Sequence, residues 1–258
     1  MNKKTYIAIF LFSLVVWYFY VKPQDYRVTF ISNTFPGVIN QSLKSWHKTI
    51  PFSESLEQES KYELKQQLKF NDSLHSYIWR IKPINDSVSK VIVDITDSKN
   101  SFLNRVSIIF GSNSIEKKSK KNVLDFASKL NEHIKEFKVH SFEEVDLFST
   151  YYAYVKIKGT QFDKAKGMMN ALPFLSNFII QNGIQLNGNP FIEVVEWDIQ
   201  TDSLFYNFCL PIIRSETLPF HPEIKYKRLF PKKAIKVQYN GNYITSDRAW
   251  YALLDYAK

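Results

Sequence analysis

The sequence predicts an α+β fold in three parts: an N-terminal transmembrane helix, an antiparallel domain closed by a long helix, and a duplicated β-α-β-β domain whose second repeat is incomplete. Three observations lead to this prediction. The chain opens with an apolar run at 6–21, and a series of short strands precedes an amphipathic helix at 119–138. A strand, a glycine and a helix follow one another around Gly159 and again around Gly241.

Composition limits the classes of function. The 258 residues suffice for two ordinary domains, and 45% hydrophobic content is enough for packed cores. The net charge of +9 comes from lysines spread over the whole chain, which is typical of solvated faces, so we expect no nucleic-acid partner. Cys209 is the only cysteine, and the histidines lack metal-ligand spacing, so we expect neither a metal nor a cofactor.

The N-terminal segment, residues 1–24, is interpreted as an uncleaved signal anchor. Residues 6–21 are apolar apart from Ser13, and about 17–20 such residues span a bilayer. Lys3 and Lys4 precede the run, and aromatic residues replace the small residues of a cleavage site at its end. The positive-inside rule then favours a single-pass membrane protein with a cytoplasmic N-terminus and an exported globular part. The membrane would be one partner, bound through residues 6–21.

The first globular domain is predicted at 25–140. Short links rich in Asn, Asp and Ser separate its strands, so neighbouring strands are expected to be antiparallel. Val123, Phe126 and Leu130 fall on one stripe of the last helix, which needs a sheet to cover. The predicted strands are 26–31, 62–70, 76–84, 87–96 and 102–110, and the predicted helices are 35–46 and 119–138.

This element order, with the segment Val28 to Thr34 before the first helix, resembles the helix-grip fold of the SRPBCC (START-like) superfamily. The resemblance covers 25–140 and implies a sheet that grips the long helix and can enclose an apolar cavity. Tyr77, Trp79 and Ile81 share one strand face. They would either line such a cavity or fill the core, and a carrier of lipid or another apolar ligand is one alternative function.

The second globular domain is predicted at 146–258. Gly159 and Gly241 are 241 − 159 = 82 residues apart, about one supersecondary unit with its return strands. Duplication of such a unit implies a pseudo-symmetric domain with a cleft between its halves. The predicted strands are 151–158, 191–199, 203–212 and 234–239, and the predicted helices are 162–181, kinked or ended near Pro173, and 246–256.

Several short motifs of this domain resemble the GyrI-like small-molecule-binding domain, which also serves as the effector-binding domain of AraC- and MerR-type regulators. The motifs are Gly188 to Phe191, Glu196-Trp197-Asp198, Phe208 to Ile212, Val237 to Tyr243 and Ala249-Trp250. The resemblance implies two β-α-β-β units around an aromatic cleft that takes a small apolar or cationic molecule. The sequence departs from the family after the second helix, where the last two strands and a late acidic residue have no counterpart, so the domain would be truncated and no catalytic residue is carried over.

The candidate ligand-binding residues are therefore mainly aromatic, because aromatic walls bind flat or cationic ligands by stacking and cation–π contact. They are Trp197, Tyr206, Phe208, Tyr239, Trp250 and the acidic Glu196. Core packing is the alternative for the aromatic residues, and a solvated strand face is the alternative for Glu196. The predicted function is a membrane-anchored small-molecule-binding protein without catalytic machinery. The alternatives are a hydrolase of a reactive small molecule and the apolar-ligand carrier.

Overall fold

The computed structural model describes residues 3–18, 22–70, 73–85, 87–111 and 114–257. The chain divides into two compact units, residues 1–135 and 136–258. Each unit has its own cluster of buried hydrophobic side chains.

The first helix, α1 (Lys3–Val16), has 14 residues. At the rise of an α-helix this is about 21 Å, shorter than the hydrocarbon core of about 30 Å. Among the described residues, no helix combines the length and the apolar character that a membrane crossing requires. The transmembrane helix predicted over 6–21, of which 19–21 lie outside the described residues, is therefore wrong. The single-pass location with a cytoplasmic N-terminus depended on it and is wrong too, and membrane contact through this segment finds no support.

The first unit is built on a five-stranded antiparallel sheet in the order β1-β5-β4-β3-β2. Its first strand pairs with its last strand, and the long helix α4 packs on both of them. This is a helix-grip-like arrangement. The elements are β1 (Tyr26–Ser32), α2 (Pro36–His47), β2 (Ser53–Ser60), β3 (Glu63–Phe70), β4 (Ser73–Asn85), β5 (Val88–Asp97), α3 (Ser101–Phe110) and α4 (Ser114–Lys135).

The core of this unit forms between one face of the sheet and the helices α2 and α4. Successive side chains of a strand point to opposite faces, and on β4 the alternate residues Tyr77, Trp79 and Ile81 are at most 1% exposed. Phe126 of α4 packs against the rings of Trp46 and Trp79 at centroid distances of 5.3 and 5.1 Å. Of the two roles that the sequence left open for the β4 residues, the structure shows core packing.

Two elements of the first unit differ from the sequence prediction. Residues 102–110, predicted as a strand, belong to the helix α3. The partner edges of β5 are already occupied by β1 and β4, so a further strand could not join the sheet beside it. The strand β2 was not predicted because its sequence, Ser-Glu-Ser-Leu-Glu-Gln-Glu-Ser, is mostly polar; it pairs at the sheet edge, where strands tolerate polar residues.

The second unit contains a four-stranded antiparallel sheet, in the order β10-β7-β9-β8, and a two-stranded sheet of β6 and β11. Helix α5 packs on β7 and β9, and α6 packs on β11 and β6. The elements are β6 (Lys138–Leu147), β7 (Thr150–Thr160), α5 (Lys164–Gln181), β8 (Phe191–Asp198), β9 (Ser203–Pro211), β10 (Lys225–Leu229), β11 (Lys232–Asn240) and α6 (Arg248–Tyr256).

The two sheets of this unit are linked by one long antiparallel ribbon. Leu147 at the end of β6 opposes Lys232 of β11, and three residues further along the chain Thr150 at the start of β7 opposes Leu229 of β10. Strands β6 and β10 were not predicted. They lie in the ribbon beside β11 and β7, so long-range pairing rather than local pattern fixes them.

The strand and helix on either side of Gly159 are β7 and α5, which β8 and β9 follow, and the strand and helix on either side of Gly241 are β11 and α6. Helix α5 does not end at Pro173 but continues through it to Gln181. Its residues Met168, Leu175 and Ile179 are 0–7% exposed against the sheet. Packing of this apolar face offsets the backbone hydrogen bond that proline removes.

Candidate functional site

The first unit holds a cavity of about 690 Å³ where β3, β4 and β5 meet the helices α3 and α4. Its lining combines apolar side chains with a few polar ones. The lining residues that matter for its chemistry are Phe70, Ser73, His75, Asp97, Lys99, Leu103, Asn104, Ile115 and Lys118. The cavity lies at one end of the sheet, since β3 ends at Phe70, β4 starts at Ser73 and β5 ends at Asp97.

Asp97 is an anion held inside this cavity. It is 5% exposed, and its carboxylate accepts hydrogen bonds from the Ser73 hydroxyl, from the backbone N–H groups of Lys99 (2.9 Å) and Asn100 (3.2 Å), and from Asn104 Nδ2 (3.1 Å). Burial alone would raise the pKa of Asp97, but these donors outweigh it and lower the pKa to about 2. The carboxylate is therefore charged and largely satisfied at neutral pH.

His75 lines the same cavity and is 5% exposed. Its Nε2 lies 3.5 Å from Asp97 Oδ2, and its Nδ1 has no hydrogen-bond partner among the described residues. Burial lowers the pKa of His75, although the Asp97 carboxylate acts in the opposite direction. In a neutral ring, a proton on Nε2 is favoured by the carboxylate that this nitrogen faces, and this tautomer would leave Nδ1 as an acceptor.

Two lysines contribute positive charge to the lining of the cavity. Lys118 Nζ lies 5.5 Å from the centroid of the Phe70 ring, which itself lies 4.7 Å from the His75 ring. Lys99 also lines the cavity. Because the Asp97 carboxylate already accepts several hydrogen bonds, the ammonium groups of Lys99 and Lys118 are the charges available to an incoming molecule.

The structure separates the aromatic residues predicted as a ligand site in the second unit. Tyr206 and Phe208 of β9 are 1% and 2% exposed in the core, and the Tyr206 hydroxyl donates to the Lys164 carbonyl at 2.9 Å. Tyr239 stacks on Phe137 at a centroid distance of 5.6 Å. Glu196 is exposed on β8.

Two of the predicted residues do come together. The rings of Trp197 on β8 and Trp250 on α6 meet edge to face at 5.3 Å, and Lys164 Nζ lies 5.4 Å from the Trp250 centroid. The chain's own ammonium group thus occupies the aromatic face that was expected to receive a cationic ligand. Trp197 Nε1 is buried without a hydrogen-bond partner among the described residues. The six-residue assignment stays a prediction.

A buried polar cluster beside these rings was missed by sequence reasoning. Lys164 Nζ lies 3.0 Å from Asp247 Oδ1, and Arg248 Nη1 lies 2.9 Å from Asp247 Oδ2. Gln161 Nε2 donates to the same carboxylate, and the Tyr251 hydroxyl donates to Gln161 Oε1 at 2.7 Å. Burial lowers the pKa of Lys164 against the opposing effect of Asp247. The available signal was the position of Lys164 and Asp247, each a few residues after one of the two repeated glycines.

The second unit also has a cavity of about 500 Å³ between β7, α5 and the segment 222–225. Its lining includes Ile157, Gly167, Phe174 and Glu223. None of the charged groups of the buried cluster is among the residues that line it, so it is a groove over α5 separate from that cluster.

Comparison with known proteins yields no family model and no curated protein that matches the chain. Among solved structures, the di-domain ARO/CYC StfQ from the steffimycin biosynthetic pathway aligns at 9% identity and a TM-score of 0.25. The di-domain ARO/CYC BexL from the BE-7585A biosynthetic pathway aligns at 6% identity and a TM-score of 0.29. Each alignment covers 73% of this chain and 85% of the other. Scores this low carry no argument about this chain, and the GyrI-like resemblance of the second unit stays a prediction.

Proposed function

We propose that this protein binds a small amphipathic acid in the cavity of its first unit. The observation that carries the proposal is the buried Nδ1 of His75, an acceptor without a partner among the described residues, in a cavity that Lys118 also lines. A volume of about 690 Å³ lies in the ordinary range for small-molecule sites, which are mostly apolar with a few convergent polar groups.

The lining defines the chemistry of the ligand. Phe70, Leu103 and Ile115 offer apolar surface, and Lys118 and Lys99 offer positive charge. His75 Nδ1 accepts a hydrogen bond, so a hydroxyl or N–H on the ligand would satisfy it. A hydroxylated aromatic carboxylic acid has all three features. Tyr77, Trp79 and Ile81 belong to the buried core of the first unit, and the alternative of a lipid carrier stays a prediction.

Isothermal titration calorimetry with hydroxylated aromatic carboxylic acids and their neutral amides tests the proposal. We expect each acid to bind about tenfold tighter than its amide, because the pair differs by one charge opposite Lys118. Lys118→Gln should abolish this preference. Lys120→Gln, an exposed lysine on the same helix, is the matched control and should keep it.

Two affinity comparisons would count against the proposal. Equal affinities for an acid and its amide would show that the ligand's charge does not contribute to binding. An equal loss of the preference for the acid in Lys118→Gln and Lys120→Gln would place the charge effect outside the cavity. Failure of every compound to bind or to raise the melting temperature of the wild-type protein would overturn the proposal.

A second candidate is a ligand site at Trp197 and Trp250 in the second unit. The buried N–H of Trp197 favours it, because this donor lacks a partner among the described residues. A ligand bound there would accept a hydrogen bond from Trp197, so Trp197→Phe should weaken its binding while Lys118→Gln leaves it unchanged. The opposite result assigns binding to the first unit. The hydrolase alternative likewise stays a prediction.

A further inference from the structure

The two strands that precede the helices of the second unit differ in how their edges are used. Strand β7 pairs with β10 on one edge and with β9 on the other. Strand β11 pairs with β6 on one edge, and no described residue pairs with its other edge, here called the outer edge of β11. An open edge of this kind presents unpaired backbone N–H and C=O groups to other chains.

The pairing of the ribbon relates the outer edge of β11 to an edge of β7. In chain order and pairing, β11 and α6 correspond to β7 and α5, because β11 pairs with β6 as β7 pairs with β10. The other edge of β7 pairs with β9, and β8 pairs beyond it. The outer edge of β11 is therefore equivalent to an edge that accepts a strand in the four-stranded sheet.

The pairing of β6 with β11 shows which side chains lie opposite the lysines of β11 in a neighbouring strand. Asp146 opposes Lys233, Glu143 opposes Lys236, and Val145 opposes Ala234. The Lys236 ammonium lies 2.8 Å from Glu143 Oε1. Opposite charges in directly facing positions stabilise an antiparallel pair, so lysines on β11 select carboxylates on the neighbouring strand.

We propose that the outer edge of β11 binds an extended segment of a partner protein that carries acidic residues alternating with apolar ones. Backbone hydrogen bonds would provide the affinity of this β-augmentation, and carboxylates facing Lys232 and Lys233 would provide its selectivity. A second copy of β11 is a poor occupant, because antiparallel pairing would bring lysines of both copies together.

The test uses the full chain and a fluorescein-labelled peptide with the β6 sequence Lys138 to Leu147, KVHSFEEVDL. We expect saturable binding by fluorescence anisotropy, weakened at least about tenfold when Glu143, Glu144 and Asp146 of the peptide are changed to Lys. Binding should also weaken as salt is raised. In the protein, Lys232→Glu with Lys233→Glu should reverse the preference, so that the lysine peptide binds better than the acidic one.

The matched control changes two exposed lysines on a strand with both edges paired, Lys156→Glu with Lys158→Glu on β7. It should leave binding of the acidic peptide unchanged. Hydrogen exchange supplies a second readout, in which the peptide should slow exchange in 232–240 and leave 138–147 as protected as before.

Three results would overturn the proposal. The first is no binding of either peptide. The second is loss of protection in 138–147 on peptide addition, which would mean that the peptide replaces β6 instead of joining the outer edge. The third is a concentration-dependent rise in mass in sedimentation that is abolished by Lys232→Glu with Lys233→Glu, which would make a second copy the occupant.

Discussion

Asp97 links a turn of the chain to the cavity of the first unit. Its carboxylate accepts hydrogen bonds from the backbone N–H groups of Lys99 and Asn100, and these bonds hold the loop between β5 and α3. The same carboxylate faces His75 and accepts a hydrogen bond from the Ser73 hydroxyl. One buried anion therefore holds the loop and orients the ring that we propose as the ligand acceptor.

Asp97 should make the stability of the first unit depend on pH. Its pKa is about 2 in the folded chain and about 4 when unfolded. A depressed folded pKa contributes stability that is present above about pH 4 and is lost as the pH falls toward 2, about 2 kcal/mol in all. Urea unfolding of the full chain between pH 2 and 6 measures it. Asp97→Asn should flatten this part of the profile, and the exposed Glu57→Gln should not.

At Gly167, in helix α5, we expect substitution by alanine to destabilise the protein, in contrast to its usual effect in a helix. Gly to Ala in a helix normally stabilises by about 0.5–1 kcal/mol, but a Cβ at Gly167 would collide with the Tyr206 hydroxyl and lie 3.2 Å from Ile157 Cγ2. We expect Gly167→Ala to destabilise by about 1–3 kcal/mol in urea unfolding. Tyr206→Phe removes the colliding atom, so the double variant should lose less than the sum of the single variants. A stabilised Gly167→Ala would contradict the packing described.

At the scale of elements, the start of α5 is tied to the start of α6. Lys164 and Asp247 lie at these starts and are 2% exposed. Their charges face each other in the interior, where Arg248 shares the same carboxylate. This contact joins the helix over the four-stranded sheet to the helix over the two-stranded sheet, and the aromatic pair of Trp197 and Trp250 packs beside it.

Removal of the Asp247 carboxylate should be costly. Asp247→Asn would leave Lys164 and Arg248 buried without the carboxylate that both contact, which we expect to destabilise the chain by about 3–5 kcal/mol. Lys164→Met with Asp247→Asn should recover part of this loss, because one of the two uncompensated cations is gone. Chemical denaturation of the wild type and the two variants gives the loss and its recovery. Equal stability of Asp247→Asn and the wild type would refute the buried pair.

Most elements followed from local patterns, and the exceptions share a cause. Alternating apolar residues predicted β1, β3, β4, β5, β7, β8, β9 and β11. Strands β2, β6 and β10 carry too many polar residues for that signal, and they are held by pairing with neighbours distant in sequence. Helix α3 has an apolar and β-branched composition typical of a strand, and it became a helix because the neighbouring strand had no free edge.

At the scale of the whole molecule, each unit closes its own sheet and its own core. The first unit has the strand order of a helix-grip-like domain, and the second combines a four-stranded and a two-stranded sheet through a shared ribbon. The buried side chains of each hydrophobic core all come from one unit.

We therefore expect the two units to fold separately. Fragments 22–135 and 136–258 should each unfold cooperatively in urea, because each contains every strand of its own sheets. Fragment 136–212 is the control, since it ends before β10 and β11 and leaves β6 and β7 without their ribbon partners. It should not unfold cooperatively, and a disordered 136–258 fragment would contradict the division into units.

The sequence by itself determined the α+β class and most strands and helices of both units. These features depend on apolar periodicity and short links, which are local. Only the tertiary structure decided the length of α1, the helical state of α3, the pairing of β6 and β10, and the cavity around His75 and Asp97. The reason is that edges, cavities and buried charges are created when distant segments meet, and no window of the sequence contains both partners.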